Sequence, residues 1–414
     1  MPALEPMTYS LWFFVTATHK SLFMKMISHT RWAIIVALGF FLGCSNTLKT
    51  VESLVQEQAY FQALKELEEG LEKRPENEQL WLEQGRIHLI YSETDEPIQR
   101  TYHYKTAYFS FEEAQRLGVD STQKAEIDNL LQRYWTQEHN AGIRALESGE
   151  YDDRLRDASS HLRNAVELKP NEISSYIALS NSYYSAAKIK LAFKTLRDSE
   201  ENLDTPNAQI YEKLGFLSLE QGDIEESITF YQRSIEIADN KNAAFGLVNA
   251  YILSGESLMA VELLSSLLER YPNDTEINHV YGVQLNIVLD GYLTQLHQAY
   301  KDDNSKVVER LREAIDLMME GAEGQLTQAY QNDISNTAFV ESLAIFYNNL
   351  TSKYLEMLEV AYTEHVNPMS DSAAEYLDKA ITYYMRMQQL RPNDPEYTQK
   401  AQNLGELRIV LFTY

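Results

Sequence analysis

Small residues recur along this chain at a nearly fixed step. Ala158, Ala192, Ser227 and Ala260 fall 34, 35 and 33 residues apart, and Pro170, Asp204, Asp239 and Pro272 keep the same interval. A period of that length implies stacked copies of one short supersecondary unit, none of which can bury its apolar faces alone. The clearest copy runs from Ala208 to Asn240. Tyr211, Leu214, Gly215 and Ser218 step by threes and fours along one face of a first helix, and Ser227, Tyr231, Ser234 and Ile235 do so along a second. Gly222-Asp223 between them is a turn signal, since glycine takes the left-handed conformation that ends a helix.

Other copies follow in order. Tyr60, Ala63, Leu67, Gly70 and Pro75 repeat the second-helix pattern, and Trp81 and Gly85 pair with Ala107, Phe111 and Ala114 across a turn from Ser92 to Pro97. That turn is longer than the others and is read as holding an aromatic stretch, Tyr102 and Tyr104. Gly142 and Ala145 pair with Ala158, Leu162 and Ala165 across Gly149-Glu150-Tyr151, and Tyr176, Leu179 and Tyr183 pair with Ala192, Leu196 and Ser199. Ala244, Leu247, Tyr251, Gly255, Ala260, Leu264, Leu267 and Pro272 give the next hairpin. Small residues such as those at 215 and 260 let backbones approach, large residues fill the space between, and Pro272 ends its hairpin by lacking an N–H.

A helix-turn-helix unit with a period near 34 resembles the tetratricopeptide repeat family, carried here by Leu214-Gly215, Gly222-Asp223, Ala260 and Pro272. The resemblance covers residues 44–282 and 374–411 and implies an all-α, right-handed solenoid. Residues 283–366 break the period. Val307, Leu311, Ala314, Met318, Ala322, Leu326 and Ala329, and Leu343, Phe346, Leu350, Tyr354, Met357 and Ala361, run on by threes and fours without caps. This predicts elongated helical hairpins whose seam either thickens the array locally or offers a surface for self-association. Residues 367–414 form a final hairpin, through Ala380, Tyr384, Met387 and Pro392, and a capping helix from Glu396 to Phe412.

The first 43 residues read as an address. Trp32 to Gly43 is an apolar run of 12 residues, preceded by Lys25 and Arg31 and followed by Cys44, the single cysteine of the chain. It falls short of the roughly 20 residues that span a bilayer, and has the three-part layout of a signal peptide, with translation starting at Met24 or Met26. Phe41-Leu42-Gly43-Cys44 resembles the lipobox of bacterial lipoproteins, departing from it at Phe41. The resemblance implies cleavage before Cys44 and acylation of its sulfur and new amino terminus, which suffices for stable anchoring. It implies a periplasm-facing, lipid-anchored protein of the bacterial cell envelope, at the outer membrane in preference to the inner because Ser45 follows the cysteine.

The net charge of −25 argues against nucleic acid as a partner, because phosphate neutralisation requires a basic face. One cysteine excludes an intramolecular disulfide and a thiolate cluster. There is no phosphate-cradling glycine loop and no histidine pair at i and i+4. His88, His103, His139, His161, His279, His297 and His365 are dispersed and read as packing or surface residues. No cofactor, metal or catalytic residue is expected.

The repeat architecture places first helices on a concave face. The matched positions align Asn181, Phe216 and Asn249 there, with Tyr184 and Phe245 nearby, as a groove for partner proteins or extended peptides. An asparagine amide donates and accepts at once, so it can hold a peptide backbone. Leu82, Ile177 and Glu212 stand where a lysine would clamp a terminal carboxylate in some relatives, so recognition of a free carboxylate is disfavoured. The function so implied is a non-catalytic envelope scaffold. The alternative is a periplasmic carrier subunit for a transport system, with an apolar small molecule held in a cavity of 283–366.

Overall fold

The computed structural model describes residues 47–147, 152–203 and 205–412. The expected leader and the lipid-bearing Cys44 lie outside the described residues, as do Gly149-Glu150-Tyr151 and Asp204. Among the described residues the only regular secondary structure is helix. Helix α1 (47–56) is followed by α2 (Tyr60–Lys73), α3 (Glu78–Ser92), α4 (Thr101–Leu117), α5 (Ser121–Glu147) and α6 (Asp152–Leu168). Then come α7 (Ile173–Ser185), α8 (Ile189–Ser199), α9 (Ala208–Gln221), α10 (Ile224–Ile237), α11 (Lys241–Ser254) and α12 (Ser257–Arg270). The last five are α13 (Thr275–Lys301), α14 (Ser305–Asn332), α15 (Thr337–Leu358), α16 (Thr363–Leu390) and α17 (Pro395–Phe412). The helices form a tetratricopeptide-like α-solenoid. Two compact units divide the chain, Met1–Thr94 with His103–Asp128, and Asp95–Tyr102 with Asn129–Tyr414.

Local chemistry sets the ends of the helices. Several first helices of hairpins begin on Asn or Asp caps whose side-chain oxygens accept backbone N–H bonds, Asn77 for α3, Asn207 for α9, Asn240 for α11, Asp274 for α13 and Asn336 for α15, while Glu172 before α7 makes no such bond. Five of the turns into a second helix use one motif, and those after α3 and α15 do not. Gly222 (φ 84°) and Gly255 (φ 80°) are left-handed, and the next N–H reaches back, Asp223 to Ser218 at 2.9 Å and Glu256 to Tyr251 at 2.8 Å. Gln58, Ala187 and Asp303 make the same turn at positive φ without being glycine, at roughly 1–2 kcal/mol each. Tyr102 and Tyr104, read as part of a long turn, lie in the first turn of α4, so the connection between α3 and α4 is shorter than expected.

The periodic residues form the core. Ala158, Ala192, Ser227 and Ala260 are each 0% exposed, and each sits where the second helix of a hairpin crosses the first. The facing glycines explain the close approach. A Cβ added at Gly85 would come within 2.4 Å of the Phe111 ring, at Gly215 within 2.8 Å of Tyr231, and at Gly282 within 2.7 Å of Leu326. Each of these glycines is the eighth residue of its helix, so one packing rule serves three hairpins. Ser227 tightens the α9–α10 crossing by donating to the Gly215 carbonyl at 2.8 Å.

From α13 the helices lengthen, to 27, 28, 22 and 28 residues for α13 to α16 against 14 for each of α9 to α12. Their seam is buried within the chain: Leu289, Leu293, Leu311, Ile315, Leu326, Leu343, Phe346, Leu350 and Ala373 share one core. Burial of each such side chain stabilises by roughly 1.5–3 kcal/mol, so these faces are already used by the local bundle. In α14 Leu311, Ala322, Leu326 and Ala329 are buried as expected, whereas Val307 and Ala314, also expected on the seam, are half-buried beside the buried Val308 and Ile315. Ala361 lies in the turn before α16. The residue lines drawn after 282 and after 366 fall inside α13 and α16, and Pro368 is accommodated near the start of α16. The capping helix α17 leaves Ile409, Val410 and Leu411 exposed at its far end.

The connection between α3 and α4 is held by buried charge. Within the second unit, Glu138 is 3% exposed and accepts from Arg100 at 2.9 Å, from Asn164 at 3.2 Å and across 2.6 Å from the His161 ring. Asn164 also donates to the Pro97 carbonyl at 2.8 Å and accepts from Thr101 at 2.8 Å. The segment thus lies against α5 and α6 through side chains distant in sequence.

Candidate peptide groove

The groove is built from three equivalent helix positions. Asn181, Phe216 and Asn249 are each the ninth residue of their helices, one step beyond the packing position that glycine takes in α9. That step turns them away from the partner helix, and all three are exposed. Tyr184 lies one turn beyond Asn181 and meets Phe216 edge to face, with ring centroids 5.2 Å apart. Its hydroxyl donates to Glu220 at 3.2 Å, and desolvation together with that carboxylate raises its pKa.

Phe216, Phe245 and Asn249 line one recess of about 430 Å³, together with Glu212, Lys213, Lys241 and Glu276. Its floor is Tyr231, which rises from α10 between two glycines of the first helices. An added Cβ would stand 2.8 Å from this ring at Gly215 and 2.3 Å at Gly246. Burial pushes the Tyr231 hydroxyl up to about 12, so it stays protonated and acts as a neutral surface. Asn181 is not part of this recess; it lies on α7, before Tyr184.

The polar rim is partly committed. Lys241 is ion-paired with Asp274, whose hydrogen bond raises the lysine pKa, and Glu212 accepts from Asn240 at 2.7 Å. Leu82 is buried, and Ile177 and Glu212 are half-buried, so the positions of a carboxylate clamp present no cation. The arrangement offers apolar ring surface for a side chain, and an amide at Asn249 that both donates and accepts. Sequence reasoning located the rim aromatics but took Tyr231 as packing alone. The signal was available, since a second glycine at 246 faces the same ring.

Several histidines are engaged in local contacts. His88 and His103 meet through their Nδ1 atoms at 2.8 Å, His279 bonds Ser342 at 2.8 Å, and His365 bonds Tyr300 at 2.8 Å. Among the described residues no three His, Cys, Asp or Glu side chains are grouped to hold a metal ion. No described helix is long and apolar enough to cross a membrane.

Residues 208–241, the hairpin α9–α10 that carries Phe216 and Tyr231, match the family described as Tetratricopeptide repeat. This hairpin is a tetratricopeptide repeat. Over 126 residues the chain is 27% identical to a TPR repeat-containing protein of Methanocaldococcus jannaschii, covering 30% of this chain and 21% of that protein. Over 280 residues it is 26% identical to the human protein O-mannosyl-transferase TMTC3, covering 64% of this chain and 26% of the transferase. The chain therefore spans about a quarter or less of the length of these two relatives, and the likeness carries no activity with it. Among solved structures, pilF of Pseudomonas aeruginosa is similar at 16% identity over 65% of this chain and 97% of that one, with a TM-score of 0.41. Repeats of this kind are protein-interaction scaffolds.

Proposed function

We propose that this protein is a non-catalytic, lipid-anchored scaffold of the bacterial cell envelope whose tetratricopeptide repeats hold partner proteins by an extended segment. The single observation that carries the reading is the exposed row Asn181, Phe216 and Asn249, in register on successive helices beside an aromatic recess of about 430 Å³. The partner's apolar side chain enters between Phe216 and Phe245 above Tyr231, while Asn249 and Asn181 bond its backbone. Because the helices are packed in advance, binding orders only the partner. Replacing Asn181, Phe216 and Asn249 together with alanine should remove at least one crosslinked envelope partner and leave helicity and melting temperature within experimental error. If every partner is retained, the groove is assigned to the wrong face.

The anchor has its own test. Cys44→Ser should abolish incorporation of radiolabelled palmitate and release the protein from the membrane fraction, and undiminished labelling would remove the lipoprotein reading.

The long-helix region does not favour a carrier for an apolar molecule. The recess lined by residues of 283–366 is half-open, of about 120 Å³, and edged by Arg312 and Asp316. It is too small and too polar for a lipid chain.

A further inference from the structure

Tyr231 is more than a floor. It is only 4% exposed, yet its ring and hydroxyl line the groove recess. Neighbouring tyrosines are partnered. Tyr183 accepts from Arg163 at 2.7 Å, Tyr211 donates to Glu200 at 2.8 Å, and Tyr251 accepts from Gln232 at 3.0 Å. Among the described residues the Tyr231 hydroxyl has no such partner, and it is not sealed from solvent as the Tyr362 hydroxyl is. Glycine at 246 keeps the space beside it clear, since an added Cβ there would stand 2.7 Å from the oxygen. A polar atom held at the bottom of an apolar recess fixes what can enter, because an occupant that leaves it unbonded loses its hydration for nothing.

The lining restricts that occupant. Glu212, Glu276, Lys213 and Lys241 all stand on the recess, so an entering anion and an entering cation each meet a like charge. The occupant is therefore neutral. Its body is apolar and broad. Phe216 and Phe245 offer ring surface, and one benzene ring, which fits a cavity of roughly 150 Å³, would fill only about a third of the recess of about 430 Å³. At the hydroxyl the occupant presents an N–H. Burial, and after it the Glu212 and Glu220 carboxylates, raise the pKa of that hydroxyl, so negative potential surrounds the oxygen. Such a field favours an arriving donor over a second lone pair. A neutral, two-ring side chain with one donor and no acceptor is tryptophan.

We propose that the recess reads a tryptophan in the partner's extended segment. The indole lies between Phe216 and Phe245 above the Tyr231 ring, and its N–H donates to the Tyr231 oxygen. A buried indole nitrogen needs such a partner, and the recess supplies one. This assignment rests on the groove reading and names the side chain that the groove takes.

Calorimetric titration of the full-length protein with the peptide acetyl-Gly-Ser-Trp-Ser-Gly-amide tests it. Comparator peptides carry 1-methyltryptophan, tyrosine, phenylalanine, leucine or arginine in place of the tryptophan. The tryptophan peptide should bind saturably, and the 1-methyltryptophan peptide, which lacks only the N–H, about tenfold more weakly. Tyr231→Phe should weaken tryptophan binding by about tenfold and bring the two indole peptides level, because both changes remove the same bond. The melting temperature of Tyr231→Phe should stay within experimental error, since the hydroxyl bonds nothing in the free protein. A clear fall would reveal an internal partner and remove the assignment. Any comparator that binds as tightly as tryptophan overturns it, as does a methylation loss that persists in Tyr231→Phe. Absence of saturable binding up to about 10 mM overturns it too. The groove reading is judged apart from these outcomes, by whether the triple alanine variant loses a crosslinked partner.

Discussion

Acidification from pH 7 to pH 4.5 is expected to cost this fold about 2–3 kcal/mol through His88 alone. Burial, with the neighbouring His103 adding to it, lowers the His88 pKa from 6.5 to about 3. In the unfolded chain the same ring titrates near its ordinary value. Between about pH 6.5 and pH 3 the unfolded state therefore holds a proton that the folded state refuses, and stability falls as the pH falls. Above that window both states are neutral and the group contributes no slope. The geometry explains the refusal. With the two Nδ1 atoms 2.8 Å apart, one ring donates its only Nδ1 hydrogen to the lone pair of the other. His88 is only 3% exposed, so water cannot solvate a charge there, and the neighbouring His103 adds to the penalty. Urea unfolding of the native protein and of His88→Gln at pH 7.5, 6 and 4.5 checks this. The variant should be slightly weaker at pH 7.5 and lose less on acidification. Parallel losses in the two proteins would mean that the pair is not held neutral.

The second large effect belongs to Glu138. Removing one member of a buried, hydrogen-bonded charge group typically costs about 3–5 kcal/mol, because the other members stay behind without compensation. Glu138→Gln leaves Arg100 and His161 facing an uncharged amide and turns a donor toward one of them. Arg100 and His161 keep some contact with solvent, so about 3 kcal/mol is the expected loss. The segment from Asp95 to Arg100 should loosen first, and trypsin should cut after Arg100 much faster than in the native protein. An unaltered melting temperature together with unaltered cleavage would show that the network only decorates the connection.

These two sites mark the limit of what the chain's pattern discloses. The solenoid was legible because its packing rule repeats: a small residue at a helix crossing recurs whenever the crossing does, as at Gly85, Gly215 and Gly282. Periodicity also pointed to the long helices: in α14 Leu311, Ala322, Leu326 and Ala329 are buried as expected, while Val308 and Ile315 are buried in place of their neighbours Val307 and Ala314. A stripe of threes and fours fits two neighbouring faces when alanines and methionines fill both. Contacts that occur once leave no such trace. Glu138 and Arg100 are 38 residues apart, and nothing in either neighbourhood marks the other. Ala187 and Asp303 adopt the left-handed turn that glycine would advertise, held there by the same reach-back bond. In the groove, the exposed rim could be placed by counting along equivalent helices. Its Tyr231 floor required knowing that two glycines on different helices, at 215 and 246, flank one ring.

The continuity of α13 has a mechanical meaning. This helix packs beside the last regular hairpin at its N-terminal end, through Ile277, and enters the long bundle at its C-terminal end, through Leu289, Leu293 and Leu296. An unbroken α-helix resists bending and twisting far more than a glycine-rich joint does, so no hinge separates the two regions. Tension applied by a partner seated on α9 and α11 would pass along α13 as a single stiff spar. The long bundle would then yield by parting its helices, not by swinging, and in a pulling experiment both regions should give way in one step.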